Sequence, residues 1–109
     1  MIKLPDAKFL STIPQLFQTD DTALKEKEKV VYLHFSNEDT HWYILEFDGL
    51  DLFYGYTIQT NDPKNSELRD ISFQELQIQN HNSAEIALDK KWAPTKAGSV
   101  DIISKALGW

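Results

Sequence analysis

An α+β fold is what this sequence predicts: an antiparallel sheet of three to five strands, with short helices at the N-terminus, the centre and the C-terminus. Three observations carry the prediction. Two aromatic-rich segments, His41–Phe47 and Leu52–Gln59, flank an Asp48-Gly49 turn, and the β-branched and aromatic stretch Val30–Ser36 precedes them. The capping residues Asp6, Ser72 and Ser99 each stand before a short apolar repeat of helical spacing. A chain of 109 residues with 41% hydrophobic content suffices for one core, so residues 1–109 are read as a single domain.

The elements follow in order. Asp6 caps a helix carrying Phe9, Leu10 and Ile13, which Pro14 ends or restarts. Leu16 and Phe17 add apolar contacts before the polar stretch Gln18–Thr22. Ala23–Lys29 alternates Lys and Glu and reads as a short exposed helix or loop. Val30–Ser36 is the first strand, Asn37–Thr40 a polar turn, His41–Phe47 the second strand and Leu52–Gln59 the third. Thr60–Ser66 is a loop on composition, and Leu68–Ile71 forms a short fourth strand. Ser72-Phe73-Gln74-Glu75 matches a capping box, opening a helix to Gln77 or Ile78 that Gln79–Ser83 breaks. Pro94 favours extended structure over Glu85–Trp92. Ser99 caps a final helix presenting Val100, Ile103 and Leu107, with Gly108 as its terminator.

A four-residue first turn sets Ser36 opposite His41 and His34 opposite Tyr43. Strict alternation then sorts the three strands into two faces. One collects Tyr32, His34, Tyr43, Leu45, Phe47, Leu52, Tyr54, Tyr56 and Ile58. The other collects Val31, Leu33, Phe35, Trp42, Ile44, Glu46, Phe53 and Gly55. The aliphatic face is the better core. The Tyr- and His-rich face either contacts a partner or lies under the terminal helices and the 84–98 segment. Glu46 falls among apolar neighbours and needs a partner such as Arg69 or Lys91. Gly55 inside a strand marks a close approach by backbone or by an aromatic ring, with Trp92 as the candidate ring.

Composition excludes several kinds of chemistry. Cysteine is absent, which removes disulfides, thiolate metal sites and thiol nucleophiles. A net charge of −6 opposes direct nucleic-acid binding, and no Lys or Arg lies between Val30 and Pro63. Lys25, Lys27 and Lys29 flank this acidic block on one side and Lys90, Lys91, Lys96 and Lys105 on the other. The N-terminus carries no signal-peptide pattern and no apolar run spans a membrane, so a soluble, cytoplasmic protein is expected. His34 and His41, with Ser36 and Tyr43 beside them, suit a small hydrolase if a carboxylate lies near. Spacing fixes no third metal ligand, and no partner carboxylate for glycosidase chemistry can be assigned.

The block His41–Gly49 followed by Asp51–Tyr56 resembles the family known as domain of unknown function 2958, whose members share a Trp-Tyr, Glu, Asp-Gly and Phe-Gly pattern over this interval. The Leu10–Phe17 segment is similar to the family's N-terminal helix, Ile71–Leu76 to its central helix start, and Ile86–Pro94 to a later run. Leu88 stands where that run has an arginine, so any role resting on that cation has no counterpart here. The resemblance implies a small accessory or anti-defence protein of a plasmid, conjugative element or phage, acting by binding.

The expectation is therefore an acidic protein-binding accessory protein, an inhibitor that engages a basic surface, without catalytic residues, metal or cofactor. Its binding residues are Trp42, Tyr43, Tyr54, Tyr56 and Trp92, with Glu46, Asp48 and Asp51 supplying charge. The alternatives are the His34/His41 hydrolase and a homo-oligomer joined through the Tyr-rich face.

Overall fold

The computed structural model describes residues 2–18, 26–82 and 85–109, with the side chains of 80–82 left aside. Residues 19–22 of the Gln18–Thr22 stretch and residues 23–25 of the Ala23–Lys29 stretch, Lys25 included, lie outside the described residues, as does Ser83. Its elements are α1 (Ala7–Leu10), β1 (Val30–Val31), β2 (Leu33–Ser36), β3 (Thr40–Phe47), β4 (Leu52–Gln59), β5 (Glu67–Ser72), α2 (Phe73–Asn82), β6 (Ala87–Leu88), β7 (Thr95–Lys96) and α3 (Asp101–Leu107). Strands β5-β4-β3-β2-β6 form one antiparallel sheet, and β1 pairs with β7 in a separate ribbon. This is the α+β architecture that the sequence predicts, with short helices at both ends and in the middle.

Local chemistry explains the ends of the elements. The Asp6 carboxylate accepts from Phe9 N–H at 2.9 Å and opens α1. Ser72 Oγ accepts from Glu75 N–H at 3.2 Å and opens α2. That helix runs through Asn82 rather than stopping near Ile78, so the polar Gln79–Asn82 stretch continues it. The last helix begins at Asp101, because Ser99 belongs to a preceding 3₁₀ turn, Ala97–Ser99, instead of capping it. Gly108 closes it in the left-handed region at φ 73°.

The β2–β3 register is the expected one, with Ser36 opposite His41 and His34 opposite Tyr43. Two irregularities change the faces. The first strand is interrupted at Tyr32, where β1 leaves for its ribbon with β7, so Val31 and Tyr32 exchange faces. A bulge at Leu45 shifts the β3–β4 pairing between Ile44 and Glu46, which sets Glu46 opposite Tyr54 and moves Phe47 into the aliphatic cluster beside Phe53.

Both faces of the sheet are covered. Ile2, Ile13 and Leu76 pack with Leu33, Phe35, Trp42, Ile44, Phe47 and Phe53 on one side. Ala97, Val100 and Ile103 pack with Val31, Tyr43, Leu45, Tyr56 and Ile58 on the other. The Tyr-rich face thus lies beneath the C-terminal segment, the second of the two outcomes open in the sequence. Gly55 marks a close backbone approach, one of the two kinds expected, with the Tyr43 carbonyl oxygen rather than the Trp92 ring nearest: a Cβ there would stand 1.9 Å from that oxygen.

Candidate functional site

The residues nominated from the sequence divide into two groups. Trp42, Tyr43 and Tyr56 are buried. Their side chains build the two cores and offer no contact surface in this conformation. Tyr54 and Trp92 are half-buried, and Trp92 donates its indole N–H to the Val31 carbonyl at 3.0 Å. Burial pushes the Tyr43 hydroxyl up to about 12, with the nearby Asp89 charge adding to it. Burial and the Glu26 carboxylate, which accepts the Tyr56 hydroxyl at 3.1 Å, push Tyr56 up as well.

The three nominated carboxylates serve as structural posts. Glu46 is buried and its Oε1 accepts from Phe17 N–H at 2.9 Å. Phe17, expected to add an apolar contact, is instead 69% exposed, with its backbone held at φ 67°. Asp48 Oδ1 accepts from the N–H groups of Leu50, Asp51 and Leu52 at 2.8, 2.9 and 3.0 Å. These bonds, that from Leu50 foremost, hold its carboxyl below the usual carboxylate range, so it stays ionised. Asp51 accepts from Ser72 Oγ at 2.6 Å and from Gln74 N–H at 2.7 Å, tying the turn to the start of α2. The turn raised on these posts carries Leu50, which is 89% exposed.

Leu50 and Phe17 are the two most exposed large apolar side chains among the described residues, and both flank the end of β3. Pro14 accepts from Phe47 N–H at 2.9 Å, which fixes the Phe17 loop against that strand end. An apolar residue inside an Asp-Gly-Leu-Asp turn is a readable signal of exposure. The position of Phe17 carried no comparable signal, because it depends on the distant Glu46.

A second cluster lies at the other end of β3. His34 Nδ1 stands 3.1 Å from Asp89 Oδ2, and His34 Nε2 stands 2.8 Å from His41 Nδ1. Tyr43 stacks on His34 with ring centres 4.5 Å apart and planes 7° from parallel, and Trp92 packs at 5.2 Å. Burial lowers the pKa of His34 despite the Asp89 carboxylate, and burial together with His34 lowers that of His41. Burial pushes Asp89 up, but the His34 ring N–H and the Lys91 backbone N–H outweigh it and hold its carboxyl low. Asp89 was not singled out in the sequence, since it meets His34 from 55 residues away.

A polar cavity of about 180 Å³ opens between β4, β5 and α2, lined by Thr40, Thr57, Arg69, Glu75 and Gln79 among others. No group of three or more His, Asp or Glu among the described residues is arranged to hold a metal ion. Among those residues, no helix is long and apolar enough to cross a membrane. Comparison with known protein families, with curated proteins and with solved structures finds no match.

Proposed function

We propose that this is an acidic protein-binding accessory protein whose contact surface is the end of the β3–β4 hairpin. The observation that carries the reading is the pair Leu50 and Phe17, 89% and 69% exposed, each set on a turn held by a carboxylate. An exposed apolar residue on a floppy loop loses entropy when it docks. One on a pinned turn has already lost it, which is the economy expected of a contact anchor. A bulky residue at positive φ is strained by roughly 1–2 kcal/mol. Phe17 keeps that conformation with its N–H on the buried Glu46 carboxylate and its ring presented to solvent.

The occupant that fits is a protein with an apolar pocket rimmed by Lys or Arg. Asp48 is ionised beside Leu50, and the chain carries no Lys or Arg from Val30 to Pro63. The resemblance of the central block to domain of unknown function 2958 supports a setting on a mobile element, with a host or defence protein as the target. Charge complementarity gives the inhibitor reading its mechanism: an anionic module with an apolar tip occupies a basic surface and excludes its usual ligand.

Capture from host extract on immobilised wild type, Leu50→Asp, Phe17→Gly and Ile102→Asp tests this surface. Leu50→Asp is expected to reduce recovery of a specific protein about tenfold or more, the loss of one central anchor. Phe17→Gly should bind less while becoming more stable, since glycine is free of the left-handed strain. Ile102→Asp, on α3, should bind like wild type. Recovery should fall between about 0.1 M and about 0.5 M salt. Equal recovery by Leu50→Asp and wild type rules the surface out.

A further inference from the structure

The Asp89, His34 and His41 side chains form a chain of two contacts whose proton positions follow from chemistry. Ionised Asp89 can only accept, so His34 Nδ1 carries the hydrogen across the 3.1 Å contact. Neutral His34 then has only a lone pair at Nε2, so the 2.8 Å contact must be donated by His41 Nδ1. The remaining lone pair of the chain is on His41 Nε2. Ring centres 5.0 Å apart and planes 15° from parallel, with the two nitrogens in contact, set the imidazoles edge to edge. That is the orientation a proton needs to pass between them.

The surroundings hold this chain in place. Tyr43 and Trp92 pack against His34, Lys91 N–H holds the second Asp89 oxygen at 3.1 Å, and the Asp89 N–H donates to the His34 carbonyl at 2.9 Å. His34 is buried, whereas His41 is half-buried and opposite Ser36. Ser36 lines an open cleft with Asn37, Glu38 and Glu85. Burial keeps both imidazoles neutral near pH 7, which leaves the terminal lone pair available.

We propose that His41 Nε2 is a nucleophile for small activated acyl esters, with His34 and Asp89 as positioning residues behind it. Nε2 attacks the acyl carbon, the N–C bond forms, and the ester C–O bond breaks with its electron pair leaving on oxygen. The His41 Nδ1 proton passes to His34 Nε2, giving a neutral acyl-imidazole and an imidazolium held by Asp89. Water then attacks the acyl carbon and the N–C bond breaks. His34 returns its proton to His41 Nδ1, and the proton shed by water neutralises the departed oxyanion. The sum is ester plus water to acid plus alcohol. This site lies about 20 Å along β3 from Leu50, so it is independent of the binding surface.

The probe is 4-nitrophenyl acetate, with N-acetylhistidine as the reference nucleophile. Wild type is expected to react about tenfold or more faster than the reference at pH 7, with a transient acetyl group mapped to His41 by mass spectrometry. His41→Gln should remove the excess. Asp89→Asn, nearly isosteric, should lower the rate and move the midpoint of the pH–rate profile, which a purely structural role would not do. Ethoxyformylation of His41 in unmutated protein gives a second readout that needs no variant to fold. A His41 rate no greater than that of N-acetylhistidine, or a profile unchanged in Asp89→Asn, overturns the proposal.

Discussion

Gly55 shows how one backbone contact can decide whether this sheet forms. A Cβ at residue 55 would stand 1.9 Å from the Tyr43 carbonyl oxygen and 3.0 Å from Ile44 Cα. Both are backbone atoms of the paired central strand, so neither can rotate away as a flexible side chain could. The position adjoins the bulge at Leu45, where the pairing register shifts. Gly55→Ala is therefore predicted to destabilise the fold by about 3 kcal/mol, at the upper end for an overpacked interior. A urea titration followed by tryptophan fluorescence reads it as a lower midpoint. A midpoint within error of wild type would mean that β3 and β4 approach less closely than described. The contrast with Phe17 is instructive: glycine is required where backbones crowd, yet it is absent where φ is 67°. There the Glu46 carboxylate holds a phenylalanine instead.

At the scale of elements, the hairpin turn and α2 form one unit through Asp51. Its carbonyl accepts from Phe73 N–H at 2.9 Å, while its carboxylate accepts from Ser72 Oγ and Gln74 N–H. An aspartate that reads from the sequence as binding charge thus acts as a remote helix cap. Asp51→Ala is predicted to lose about 1–2 kcal/mol of stability and to speed amide exchange at Gln74, with exchange at Ile103 in α3 rising far less. If Gln74 exchange were unchanged, Asp51 would be a surface charge after all. What was legible at this scale is local in origin. The Asp6 and Ser72 caps, the Gly108 terminator and the pairing of Ser36 with His41 all follow from residues a few positions apart. The bulge at Leu45 and the break at Tyr32 follow from packing against distant segments, so alternation alone misplaced Val31, Tyr32, Glu46 and Phe47. The same limit hid the covering of the Tyr-rich face, because Ala97, Val100 and Ile103 must fold back onto the sheet before Tyr43 and Tyr56 are buried. It also hid the meeting of Asp89 with His34, on which the second candidate site depends.

Across the whole molecule, the histidine pair gives stability a pH dependence whose sign can be worked out. Burial lowers the folded-state pKa of both His34 and His41, with Asp89 opposing the shift at His34 and His34 adding to it at His41. In the unfolded chain both titrate near the ordinary histidine value of about 6.5. Below that value the unfolded state binds protons that the folded state still refuses, so stability falls as pH falls toward the folded pKa values. Above it, neither state binds them and the dependence vanishes. The 2.8 Å contact sharpens the effect, since a second proton would set N–H against N–H. The pair can accept one proton in place and must separate to accept another. Asp89 acts in a lower window: its carboxyl is held below the ordinary value, so its contribution is present above about pH 4 and is lost as pH falls through the folded pKa. Thermal unfolding at constant ionic strength should therefore show the melting temperature dropping between about pH 7 and about pH 5, before the carboxylates titrate. His41→Gln should flatten that slope by removing one titrating ring and the repulsion on the other. A third histidine, His81, is common to both proteins and cancels in the comparison. Equal slopes for wild type and His41→Gln over this window would mean that the two rings are solvated separately. The edge-to-edge contact, and the proton path built on it, would then have no standing.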